Sequence, residues 1–387
     1  MKKHYQIIHR NKQGFFAQKQ THHLKRKGKT YQRARQEQRS FNGSVIVRAP
    51  KNVDIYSHFG KDNYYEDTIK FCNDIEKKVK NESILISFID TEWISAAAML
   101  VLYSTIERAF TNYGHGRISI AWSKKSKMVN RFLKRTHLSG MISSGKPSDN
   151  LFNRRSLPVI SGYGNIYIDE IIDFIRDQYY ESDMDPNVEF RFGDAVSETI
   201  NNVGRHAYPN KPDELRKWWL LCDVVGDDLY LAIYDSGVGI PNTVVEKKWF
   251  YSSLKLNYPE IHNEIENDMK SKGLSDLTKM FTFYAMKKLD DHHLIMLSMK
   301  KDYSGTKLSK HGQGSKSIKA LVNETENGKL WIYSEKGLYT LESANHPELT
   351  DTDKLSEAEL EDKLKPKLYS LPKKLSGTLV QWNIKLK

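Results

Sequence analysis

The chain has 387 residues, a formal net charge of +12, 39% apolar residues and two cysteines. That length leaves room for two domains and a sizeable core, and no apolar run approaches the roughly 20 residues of a membrane span. Cys72 and Cys222 are too few for a disulfide framework, and the basic N-terminus lacks the apolar core of an export signal, so a cytoplasmic protein without membrane partners is expected.

Residues 1–43 read as a basic arm. Residues 1–40 hold twelve Lys or Arg against one acid, Glu37, so +11 of the +12 lies there. Tyr5, Phe15, Phe16, Tyr31 and several Gln are interleaved with the cations. Such an arm suits salt-sensitive contacts to RNA or DNA phosphates. A solubilising tail or a subunit-docking arm accounts for the same composition.

Residues 44–150 alternate strand and helix patterns. Ser44–Arg48, Ile84–Ile89 and Gly116–Trp122 read as strands, and Tyr65–Lys80, Ala96–Phe110 and Lys127–Leu138 as helices. Asp90–Ser95 reads as a loop, with Ser95 as an N-cap. Alternation at this spacing predicts βαβ units in a small α/β domain.

Residues 151–387 read as a second α/β domain. Helices are expected at Tyr167–Tyr180 and Glu189–Ala207, and a hairpin at Trp218–Val225 and Leu229–Tyr234 across Gly226-Asp-Asp228. A long segment, 241–311, carries a helical stretch at Asp276–Leu289. The helix Ser317–Asn323, a hairpin at Lys329–Ser334 and Leu338–Leu341, a charged insertion at 348–368 and a last strand, Leu379–Ile384, follow.

Chemistry concentrates in four places along this second half. On the Glu189–Ala207 helix, Glu198, Asn202 and His206 recur every four residues along one face. An amide oxygen one turn from a carboxylate suits magnesium-assisted phosphate chemistry. The strand Leu229–Tyr234 runs into Asp235-Ser-Gly237-Val-Gly239, where glycines let a flat ligand approach the backbone and the Asp accepts a hydrogen bond. His311-Gly312-Gln-Gly314-Ser315-Lys316 opens a helix whose N–H groups suit phosphate. Gly377-Thr378 precedes the last strand.

In this order, the four motifs resemble the ATP site of the GHKL superfamily, which includes gyrase, MutL, histidine kinases and anti-sigma serine kinases. The resemblance covers about residues 165–387 and implies an α/β sandwich of the Bergerat type. It implies Glu198 as general base, Asn202 as magnesium ligand, and His206 as the motif's third position. Asp235 would take the adenine amino group, Gly237 and Gly239 would make room for the base, and Thr378 would join the adenine network. Gly312, Gly314, Ser315 and Lys316 would face the triphosphate, where the family often has a third glycine in place of Lys316. Residues 241–311 would form a long lid, from which Lys307 or Lys310 would reach the γ-phosphate.

Residues 44–150 are similar, with weaker specificity, to the STAS fold of anti-sigma-factor antagonists. There an Asp-Ser pair opens a helix; Ser95 and Ala96 stand at those positions, so the phosphoacceptor is missing and a docking module is implied. The cofactors implied are ATP and Mg2+. Hydrolysis with lid closure controlling a protein partner or self-association is the leading expectation. A serine/threonine kinase of the anti-sigma type needs the same groups, and a non-catalytic, nucleotide-dependent nucleic-acid or protein-binding module stays open beside them.

Overall fold

The computed structural model describes residues 40–56, 63–149, 151–152, 156–272, 277–300, 314–323, 325, 327–343 and 365–386. Residues 42–387 form one compact unit, and it is this unit that is described below. The fold is mixed α/β, with parallel and antiparallel sheets.

The N-terminal segment runs β1 (Ser44–Arg48), α1 (Tyr64–Val79), β2 (Ile84–Ser87), α2 (Ala96–Tyr113), β3 (Ile118–Ala121), α3 (Lys127–Arg135) and α4 (Leu138–Ser144). β1, β2 and β3 lie side by side and parallel, with Val45 opposite Ile84 and Ile84 opposite Ile118. Parallel neighbours require a crossover, and α1 and α2 supply it. Two departures from the sequence reading occur here. Trp93–Ile94, expected in a loop, pairs in parallel with Asn52–Val53. The expected helix Lys127–Leu138 stops at Arg135, where the Thr136 hydroxyl bonds back to Phe132 O (2.8 Å) and His137 takes φ 63° before α4 begins.

The second segment runs β4 (Ile160–Tyr163), α5 (Ile168–Tyr179), α6 (Pro186–Asn202), β5 (Lys217–Val225), β6 (Asp228–Asp235), α7 (Ile240–Val244), α8 (Phe250–Asn257), α9 (Pro259–Ser271), α10 (Leu277–Lys288), α11 (Asp291–Met299), α12 (Gly314–Asn323), β7 (Lys329–Glu342) and β8 (Lys367–Lys385). Its five strands form an antiparallel sheet in the order β7-β8-β6-β5-β4. The β5–β6 hairpin turns through Gly226 at φ +64°, as its sequence predicts.

The hairpin expected across Glu335-Lys-Gly337 does not form. β7 continues through it as a bulge, with register shifts on both sides of Glu335, which sits at φ +57°. Its partner β8 runs from Lys367, so the last strand begins well before Leu379 and takes in the end of the charged insertion; residues 348–364 lie outside the described residues. The segment 241–300 also carries more helix than the single stretch expected. Helices α7 to α11 span it and build a core of their own around Phe250, Leu254, Ile265, Phe281 and Leu297.

The five-stranded sheet is buried on both faces. Alternation along β5 and β6 sends Trp218, Leu220, Leu231 and Ile233 to one face, against Ile175 of α5, Phe192 and Val196 of α6 and Leu321 of α12. Trp219, Leu221, Ala232 and Tyr234 go to the other, into one core with α1 and α2. Burial on both faces explains why Trp218–Cys222 reads as an unbroken apolar run. Glu107 of α2, itself buried, ties the layers together. It accepts from Trp219 Nε1 (2.6 Å) and Ser161 Oγ (3.0 Å) and is ion-paired with Lys217. A buried carboxylate needs such partners. Cys72 and Cys222 are buried and free, and none of the described helices is long and apolar enough to cross a membrane.

Candidate functional site

Helix α6 starts at Pro186, whose fixed φ and missing N–H suit a first helical position. The Asp185 carboxylate caps it, accepting from Asn187 N (2.8 Å) and Val188 N (3.3 Å). Its last turn holds Glu198 and Asn202, both half-buried. Burial raises the Glu198 pKa, with Arg205 and a hydrogen bond from Asn202 pulling it back down; Arg205 Nη1 stands 4.0 Å away.

Beyond Asn202 the chain widens into a π turn, Val203–Ala207. The regular four-residue repeat expected for His206 therefore breaks, because a π turn rotates the backbone less per residue than an α turn. His206 Nδ1 lies 3.2 Å from Lys247 Nζ. Burial, reinforced by that ammonium, lowers the His206 pKa to about 4, and burial lowers that of Lys247. Lys247 is the residue the sequence reading missed. Nothing in Glu246-Lys-Lys-Trp249 sets it apart from a surface lysine.

The π turn is fastened to the end of β6. Val238 N donates to Ala207 O (2.8 Å), and the Tyr208 hydroxyl donates to Lys217 O (2.7 Å) while accepting from Ser236 N (3.0 Å). A Cβ on Gly237 would lie 2.1 Å from Ala207 O, so the contact requires glycine there. Asp235 is buried, and its carboxylate accepts from Gly237 N (2.8 Å). Burial pushes its pKa up to about 7 against the N–H groups of Gly237 and Thr378, and the nearby Glu335 adds to the rise.

Thr378 is the register partner of Asp235 across β8 and β6. Its Oγ1 lies 3.1 Å from Ser334 Oγ, which donates to Gly377 O (2.9 Å) and accepts from Ile240 N (2.9 Å). Gly239, at φ +83°, leaves no room for a side chain beside Ser334 and Glu335. Glu335 is ion-paired to Lys374 through Oε2, whereas its buried Oε1 has no hydrogen-bond partner among the described residues. The region around Asp235 thus holds an acceptor that lacks a donor.

Gly377 is the tightest point. Its φ is +87°, and a Cβ would stand 2.0 Å from Asp235 O. Overpacking against backbone together with a left-handed conformation predicts that Gly377→Ala destabilises the chain by about 3 kcal/mol or more. Urea denaturation checks this; an unchanged midpoint would contradict the close approach.

Helix α12 begins at Gly314 and packs along α6, so the described end of the second glycine motif, Gly314 to Lys316, opens a helix that lies against the motif helix. Ser315 is half-buried and Lys316 exposed in its first turn. Lys307, Lys310 and Gly312 lie outside the described residues. The structure thus joins Glu198, Asn202 and His206 to Gly237 through the π turn, and Asp235 to Thr378 through the sheet. Separately, Asp290, His292 and His293 bring possible metal-ligand atoms within 4.8 Å of one another, and Ser370 Oγ lies 3.2 Å from His292 Nδ1. No motif in the sequence reading pointed to that group. No family model matches this chain, and no curated protein matches it.

Proposed function

We propose that this protein binds Mg-ATP in a GHKL-type site on the five-stranded sheet and uses it as an ATPase whose closure regulates a partner interaction. The observation that carries this reading is the junction itself. A helix bearing Glu198 and Asn202 ends in a π turn that is hydrogen-bonded, at Ala207 O, to the glycine-rich strand end behind Asp235 (2.8 Å). Asp235 and Glu335 Oε1, which has no hydrogen-bond partner among the described residues, offer acceptors to an exocyclic amino group, and Gly237 and Gly239 let the strand end pack closely behind them.

Asn202 would hold the metal through its amide oxygen. Bound magnesium supplies neutralisation of phosphate charge. Glu198, its pKa raised by burial, is suited to accept a proton from water or a protein hydroxyl near neutral pH. Lys247, 3.2 Å from His206 Nδ1, adds positive potential just beyond the end of α6, and the first-turn N–H groups of α12 would face the phosphates. For the finer architecture we propose the Bergerat α/β sandwich, with residues 44–150 as a STAS-like layer covering its outer face, in a cytoplasmic protein. The basic arm as a nucleic-acid contact belongs to the same proposal and lies outside the described residues.

The test is calorimetry with ATP, with and without magnesium. Asn202→Ala should abolish the magnesium-dependent binding, because an apolar side chain leaves the ion without its protein oxygen. Equal affinity in mutant and wild type would remove Asn202 from the site.

A further inference from the structure

A cavity of about 980 Å³ opens between the N-terminal segment and the five-stranded sheet, and none of the residues assigned to the ATP site lines it. Ser95 and Ala96, at the N-terminus of the 18-residue helix α2, form part of its wall. Ser95 occupies the N-cap position in extended conformation (φ −78°, ψ 156°), yet its side chain makes no capping hydrogen bond. The residue is only 3% exposed, and its Oγ is buried without a partner among the described residues. Within the first turn, the Tyr56 hydroxyl meets the Ala97 N–H while donating to Gln381. The first turn of α2 contains no acid to answer the positive end of its dipole.

The remaining lining has two characters. Trp93, Phe132 and Trp331 give it aromatic walls, and Trp93, Met128 and Val225 on the lining stay 49%, 64% and 54% exposed. Apolar exposure of that kind gathered at one opening is the mark of a binding surface. The charges do not balance. Of the lining acids, Glu92, Asp223 and Glu342 are ion-paired with Lys51, Arg135 and Lys329, and Asp54, which accepts from Tyr56 N, is the one lining acid without an ion pair among the described residues. Arg131, Lys134 and Lys367, also on the lining, carry no ion pair among the described residues, so three unpaired cations outnumber Asp54.

From these features we infer that the cavity binds a small aromatic anion. Its ring system lies against Trp93, Phe132 and Trp331, and its carboxylate, sulfonate or phosphate takes the Ser95 hydroxyl at the N-terminus of α2. Arg131 attracts the charge at the mouth. A helix N-terminus with an unsatisfied hydroxyl is an anion site, and the aromatic body contributes the burial that a bare inorganic anion lacks.

The probe is 8-anilinonaphthalene-1-sulfonate, titrated against the full chain by fluorescence. Its neutral relative N-phenyl-1-naphthylamine, which lacks the sulfonate, is the comparison. The sulfonate should bind one per chain, with blue-shifted emission and at least about tenfold more tightly than the neutral compound, the size of a hydrogen bond to a charged group. Ser95→Asp places a carboxylate at the cap and should weaken sulfonate binding about tenfold or more while leaving the neutral probe unchanged. Arg131→Glu, on the exposed rim, should weaken it in the same direction without touching the fold. Equal binding of both probes, several weak sites, or indifference of the sulfonate to both variants would overturn the assignment. Should Ser95→Asp fail to fold by circular dichroism, the Arg131→Glu titration and the probe comparison decide it.

Discussion

Glu198→Gln is expected to keep ATP affinity within about twofold of wild type and to lower phosphate release by roughly 10²-fold or more, the usual range for a lost general base. Gln matches the side chain in size and still accepts the hydrogen bond from Asn202, so the end of α6 and its π turn stay intact. What it loses is the capacity to take a proton. The wild-type carboxylate has a pKa raised by burial and held in check by Arg205, so wild-type turnover should fall as the pH drops towards that raised value. The variant's residual rate should lack this limb. Steady-state phosphate release across pH 5 to 9, with affinity measured in parallel, tests both parts. Undiminished release from Glu198→Gln would mean that another group acts as base. Lost binding would mean that Glu198 holds the site together and does not act as its base.

Asp235→Asn should separate adenine recognition from folding. The folded pKa of Asp235 is pushed from 3.8 up to about 7, so between those values the folded chain holds a proton that the unfolded chain has released. Stability contributed by this group is therefore undiminished below about pH 4, declines as the pH rises, and levels off above about pH 7. At about 1.36 kcal/mol per unit the loss is of the order of 4 kcal/mol. Asn cannot ionise, so urea unfolding of the variant at pH 4.5, 6 and 8 should show a much flatter trend. ATP affinity should fall in the same variant, because the Asn amide can present a donor to the adenine amino group. Identical pH slopes would mean that Asp235 ionises normally when folded. Unchanged affinity, or GTP binding as well as ATP, would remove it from adenine recognition.

The buried position of Asp235 explains why these two variants should behave differently. Glu198 stands half-open at the end of a helix, where a change of charge is felt by solvent and by Arg205. Asp235 ends a central strand, between backbone N–H groups and within the field of Glu335, where water cannot share the cost of ionisation. A residue tuned in this way costs stability at neutral pH unless a ligand uses it.

Much of the local structure was legible in the chain itself. The β5–β6 hairpin announced itself through Gly226-Asp-Asp228 between two apolar runs, and α6 through its periodicity from Glu189, although the helix starts earlier, at Pro186 behind the Asp185 cap. The alternation of strand and helix between Ser44 and Arg135 likewise foretold parallel strands with helical crossovers. The nearness of Asp235 to Thr378, 143 positions apart in number, was accessible only through the order of four motifs.

Other features belong to the tertiary structure alone. Glu335-Lys-Gly337 has the composition of a turn, yet β8 offers partners on both sides of it, so long-range pairing turns it into a bulge. The helix carrying His206 widens into a π turn where Gly237 and Val238 meet Ala207 from another element, and Lys247 reaches His206 from a separate part of the chain. Ser95 reads as an ordinary cap, and its buried hydroxyl finds no hydrogen-bond partner among the described residues, because its surroundings are assembled from residues far apart in the chain. The sequence by itself determined that most of these helices and strands exist and roughly where they lie, since propensity and turn chemistry depend on neighbours a few positions away. Burial, register and electrostatic environment depend on groups brought together from distant parts of the chain, and only the folded structure decided them.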